Sequence, residues 1–106
     1  MFARIVTIPL KPGTKAEFAT AIEKAVIPLL RKHKGFRDEI TLVNTDGNTG
    51  VGISFWDSKE DAEAYNRSGS SEVMKALDPV ATGPAQVQLC EATNSTVHKI
   101  AAAARA

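Results

Sequence analysis

The order of hydrophobic periods in this 106-residue chain predicts an α+β fold, with helices covering one side of a four-stranded antiparallel sheet. Three observations carry that reading. Four segments, 2–10, 36–45, 50–57 and 84–93, are rich in β-branched or alternating apolar residues. Two segments, opening after Thr14 and after Ser58, change to helical spacing. Asp46-Gly47-Asn48, between the second and third strand segments, is a hairpin signal and makes those two strands antiparallel. The resulting order, strand, helix, strand, strand, helix, strand, is the split βαβ or ferredoxin-like arrangement.

Each element has its own local cause. In the first strand Pro9 forces an end or an edge position, and Lys11-Pro12-Gly13 makes the turn. Thr14 and Glu17 have the spacing of a capping box. Phe18, Ile22, Val26, Leu29 and Leu30 then form one apolar stripe, with Ala21 and Ala25 beside it. Pro28 lies inside that stripe and predicts a kink near the last turn, because it removes a backbone donor. Arg31-Lys32-His33-Lys34 suits the negative end of the helix dipole, and Gly35 ends the helix. After the hairpin, Ser58 caps a helix over about 59–67, Ser68-Gly69-Ser70-Ser71 interrupts it, and a further helical turn runs from Glu72 to Asp78. Pro79 stops that turn. Residues 1–93 form the domain, and 94–106 form an alanine-rich tail that Asn94-Ser95 could cap as a helix.

Composition excludes several functional classes. With 13 basic and 12 acidic residues the formal charge is +1, which gives no electrostatic footprint for nucleic acid or an anionic membrane. No apolar run approaches the roughly 20 residues that span a bilayer. There is no signal-like opening, since Arg4 interrupts the first apolar stretch. The single Cys90 excludes an intrachain disulfide and suits a reducing, cytoplasmic setting. His33 and His98 lie far apart without ligand spacing, so no metal site is expected.

Strand alternation also sorts the sheet into two faces. Val6, Ile8, Ile40, Leu42, Val51, Ile53, Phe55, Val87 and Leu89 are read as the face beneath the helices. Ala3, Ile5, Thr7, Thr41, Val43, Ser54, Trp56, Gln86, Gln88 and Cys90 are read as the open face, mixed in character and suited to a homodimer interface. His33 reads as part of a solvated helix end, and Cys90 as a small buried hydrophobe.

The run Ile53-Ser54-Phe55-Trp56-Asp57-Ser58-Lys59-Glu60-Asp61-Ala62-Glu63-Ala64-Tyr65 resembles the centre of the antibiotic biosynthesis monooxygenase superfamily. So do Pro28-Leu29-Leu30-Arg31-Lys32-His33-Lys34-Gly35-Phe36 and Ser71-Glu72-Val73-Met74-Lys75-Ala76-Leu77. The resemblance implies a dimeric α/β barrel of two ferredoxin-like protomers. It also admits cofactor-free quinone-forming, haem-degrading and autoinducer-processing types. The haem-degrading type needs a ligand histidine where this chain has Lys75-Ala76-Leu77-Asp78, and an asparagine where Ile5-Val6-Thr7 stands. No histidine-centred site of the autoinducer type is present in the sequence.

Trp56 is expected to wall an aromatic slot, with Tyr65 supplying a phenol and Asn66, Arg67 or Gln88 favouring a substrate anion. No catalytic residue is assigned, and no cofactor is expected. The functional reading is a cofactor-independent monooxygenase acting on an aromatic or polycyclic small molecule. The alternative is a non-enzymatic dimeric module of the same fold that binds a small apolar or aromatic ligand or serves in stress.

Overall fold

The computed structural model describes residues 1–98. Strands β1 (Phe2–Pro9), β2 (Phe36–Val43), β3 (Thr49–Trp56) and β4 (Gln86–Glu91) form one sheet in the order β2-β3-β1-β4. Every neighbouring pair is antiparallel. The first helix, α1, is α-helical over Lys15–Ala21, π-type over Ile22–Val26 and α-helical again over Ile27–Arg31. Helices α2 (Lys59–Ser68) and α3 (Ser70–Leu77) meet at Gly69, and a 3₁₀ turn covers Asp78–Val80. The ferredoxin-like α+β order read from the sequence is therefore the observed one.

The helices bury Phe18, Ile22, Val26 and Leu30 from α1, Ala62 and Tyr65 from α2, and Val73 and Leu77 from α3. These pack on Ile8, Leu10 and Trp56 from the sheet side. Instead of a simple proline kink, α1 widens into the π-type turn immediately before Pro28. Such turns accommodate a missing backbone donor, and here Ile22 and Val26 stay buried through the irregularity.

Two caps differ in outcome. Ser58 Oγ accepts from Asp61 N at 3.2 Å, as its position before α2 implies. Thr14 makes no cap hydrogen bond; its hydroxyl donates to Lys11 O at 2.6 Å, so the turn takes the group that a capping box requires. In the hairpin, Gly47 has φ +78°, and Asp46 Oδ1 and Asn44 Oδ1 accept from Asn48 N and Thr49 N. Ser95 Oγ accepts from Val97 N and His98 N, but the helix expected to follow lies outside the described residues.

The face assignment of the two central segments needs correction. Cross-strand partners share a face, and the register joins Arg4, Val6 and Ile8 to Ser54, Gly52 and Gly50. The face beneath the helices therefore carries Ser54, Trp56, Glu39, Thr41 and Val43. Val51, Ile53, Phe55, Ile40 and Leu42 are on the open face with Ala3, Ile5, Thr7, Gln86, Gln88 and Cys90. Two features invert the sequence reading. Gly50 and Gly52 leave the first half of the inner side of β3 without side chains, so the outer apolar alternation dominates the pattern. A bulge between Phe36 and Asp38 resets the phase of β2.

Candidate functional site

The space between sheet and helices is built from the inner face of β1 outward. Arg4 occupies an inward position on that strand and is only 4% exposed. Its Nε and Nη2 donate to Asn66 Oδ1 at 3.2 and 2.9 Å, which ties β1 to α2. Its guanidinium carbon lies 5.1 Å from the centroid of Tyr65, within cation–π range. No carboxylate forms an ion pair with Arg4 among the described residues. Burial lowers its pKa from the ordinary value, against the opposing influence of Tyr65, but an arginine stays charged.

Tyr65 is held by aromatic neighbours. Its ring stacks on Trp56 with centroids 5.0 Å apart and an interplanar angle of 25°. His33 meets it edge-on at 5.1 Å, while Phe36 meets Trp56 edge-on at 5.6 Å. His33 is thus a packing partner of Tyr65, not part of a free basic helix end. Gly69 makes this approach feasible, since a Cβ there would fall 2.6 Å from His33 Nε2 and 3.0 Å from Tyr65 Cδ1. Burial raises the phenol pKa of Tyr65, partly offset by Arg4, so it is a neutral hydroxyl near pH 7.

Trp56 is completely buried, and its Nε1 donates to Ser54 Oγ at 2.9 Å. It backs Tyr65 and does not itself line the hollow, contrary to the expectation of a pocket wall. The inward phase of β3 carries it into the core. Of the other residues singled out, Asn66 joins the site through Arg4. Arg67 is exposed one position further round α2, and Gln88 is exposed on the opposite face of the sheet. Neither is brought to Tyr65.

Sequence reasoning passed over two charged residues. Arg4 read as an interruption of an apolar stretch, although it shares the phase of Val6 and Ile8. Glu39 stands among the polar residues of the second strand segment, with nothing in its neighbours to mark it as inward-facing. Its carboxylate reaches over β3, 3.6 Å from where a Cβ on Gly52 would stand. Thr41 Oγ1 donates to its Oε2 at 2.5 Å. Desolvation raises the Glu39 pKa, and the Thr41 hydrogen bond opposes the rise.

Arg4, Glu39, Ser54 and Tyr65 converge on a mainly apolar hollow of about 40 Å³. That volume accommodates a water molecule or two, not an aromatic ring. It lies between two larger hollows open to solvent. One, of about 370 Å³, shares Ile22 and Glu39 with it and runs between α1 and β2. The other, of about 390 Å³, shares Arg4, Ile8 and Met74 and has Asn66 at its edge. Among the described residues no group of three or more His, Cys, Asp or Glu side chains could hold a metal ion, and no helix is long and apolar enough to cross a membrane.

A family model described as antibiotic biosynthesis monooxygenase matches residues 1–77. No curated protein is significantly similar in sequence. Among solved structures, the chain is similar to a monooxygenase from the gene ActVA-Orf6 of Streptomyces coelicolor, in complex with nanaomycin D. That likeness has 22% identity and a TM-score of 0.76, and it covers 92% of both chains. The cofactor-independent oxygenase SnoaB of Streptomyces nogalater is 17% identical with a TM-score of 0.72, over 92% of this chain and 97% of that one. A protein of unknown function from Nitrosomonas europaea is 16% identical with a TM-score of 0.73, over 92% and 94%. At these identities the likeness establishes the shared fold.

Proposed function

Because the chain belongs to the antibiotic biosynthesis monooxygenase family, we propose that it is a cofactor-independent monooxygenase of an aromatic small molecule that ionises in the cleft. The observation that carries this reading is Arg4, a nearly fully buried cation with no carboxylate partner among the described residues. An uncompensated buried charge is costly, and an anionic ligand offsets the cost. Ground-state oxygen reacts readily only with an electron-rich partner, so a substrate that loses a proton can transfer an electron without a metal or flavin. Arg4 favours that anion, and the apolar walls strengthen the attraction by excluding water. For an anthrone-type substrate the sum is CH₂ + O₂ → C=O + H₂O, which needs no external reductant.

Tyr65, whose ring is taken up by Trp56 and Arg4, brings a neutral hydroxyl to the border of the hollow. Asn66 holds Arg4 in register. Oxygen uptake with a panel of anthrones and phenolic polycycles tests the proposal. Consumption above the buffer rate supports it, and no consumption across the panel overturns it.

One observation favours the alternative of a binding module. The hollow at Arg4 is narrow, so ring-sized occupants require the layers to part or must remain in the wider openings. Trp56 is the only tryptophan, and Tyr65 lies against it, so its fluorescence senses occupancy. Saturable quenching without oxygen uptake selects the binding module. The same proposal includes pairing with a second copy through the open sheet face.

A further inference from the structure

Glu39 borders both the narrow hollow that holds Arg4 and Tyr65 and the solvent-open hollow between α1 and β2. A group in that position can take a proton from a ligand admitted when the layers part and pass it to water on the other side. Its carboxylate lies in the space left above Gly52, an inner-face position with no side chain. Thr41 Oγ1 fixes one oxygen and leaves the other to accept. We infer that Glu39 is the general base that removes the substrate's proton, while Arg4 holds the anion that results. This assignment rests on the oxygenase reading above.

The proton step balances within the cleft. The substrate's acidic C–H or O–H bond breaks, its electron pair stays on the substrate, and a new O–H bond forms on Glu39. The proton then leaves through the opening lined by Thr41, Lys15 and Glu23. These last two line the same opening from α1, with opposite charges, while Arg4 on β1 and Tyr65 on α2 line the narrow hollow on its other side. Desolvation holds the Glu39 pKa above the usual carboxylate value, toward the range in which a base works best.

The test separates proton removal from oxidation. Anthrone is incubated anaerobically with the protein in D₂O, and loss of its acidic C–H signal is followed by proton NMR. The wild type should catalyse exchange, with a rate that rises as Glu39 ionises. Glu39→Gln should bind anthrone with unchanged Trp56 quenching but exchange it roughly 10²-fold more slowly. Glu39→Asp should recover part of the rate. Thr41→Val, which removes the stabilising donor, should move the rising limb to higher pH; this variant keeps the test decisive if Glu39→Gln does not fold. Equal exchange by wild type and Glu39→Gln overturns the role of Glu39, whatever the oxygen uptake. Exchange that depends on Glu39 but is not followed by oxygen uptake in air upholds the base and removes the oxygenase. Absence of exchange in the wild type overturns the inference.

Discussion

Arg4 and Glu39 carry most of the chemistry argued for this molecule, and both stand among apolar or small neighbours that make their charges matter. Replacing Arg4 by Gln keeps a donor for Asn66 but removes the cation. If the anion is stabilised there, turnover should fall about 10²–10³-fold, the cost of losing one preorganised donor. Oxygen-electrode rates measure this, and unchanged rates would show that Arg4 is structural. Glu39 makes a separate prediction about stability. Its folded-state pKa is raised, chiefly by desolvation, so the folded state binds its proton more tightly than the unfolded chain does. Stability from this group is therefore highest below the ordinary Glu pKa and falls as pH rises through the folded value. Glu39→Gln should raise the melting temperature by about 4 °C or less at pH 7, with the gain vanishing below about pH 4. Melting curves at the two pH values check the sign. Arg4 was legible in principle, since a cation in phase with Val6 and Ile8 must either end the strand or enter the core.

At the scale of the elements, the sequence was clear about order and poor about orientation. Strand and helix limits follow from periodicity, Ser58 and the hairpin residues, all of which act within a few residues. Facing depends on what lies across the sheet, and β3 conceals it. Gly50 is bare because Phe18 of α1 packs where its Cβ would be, at 2.7 Å from the ring. Gly52 is bare beneath Glu39, with ordinary clearance of 3.6 Å. The bulge at Arg37 then reverses β2, and its side chain pairs with Asp57 outside the core. This difference between the glycines predicts opposite outcomes. Gly50→Ala must displace a buried ring and should cost about 1–3 kcal/mol. Gly52→Ala should be neutral or stabilise by up to about 1 kcal/mol, because alanine reduces the freedom of the unfolded chain. Denaturant midpoints for the two variants decide it, and equal losses would refute the assigned packing of Phe18.

At the scale of the whole molecule, the corrected facing changes what the open side of the sheet is made of. It carries Ile5, Val51 and Ile53 in the middle, Ile40 and Leu42 each half exposed at one side, and Phe55 at one end, where His98 lies against it. Thr7, Gln86 and Gln88 supply polar groups along β1 and β4. A contiguous apolar area of this kind is unusual on a surface left to water. A four-stranded sheet at strand spacings of about 4.8 Å and rises of about 3.4 Å per residue presents a footprint of roughly 500 Å². Two such faces stacked together remove about 1,000 Å² from water, the lower bound for a specific interface. Self-association by this face also keeps the Arg4 cleft free, because the cleft opens on the other side of the same sheet. Ile53→Glu places a charge at the centre of the proposed contact, between Ile5 and Ile40, without touching Trp56 or Tyr65. Light scattering after size exclusion should give a dimer for the wild type and a monomer for the variant at micromolar concentration. A monomeric wild type would remove the pairing while leaving the cleft chemistry to stand on Arg4 and Glu39 alone.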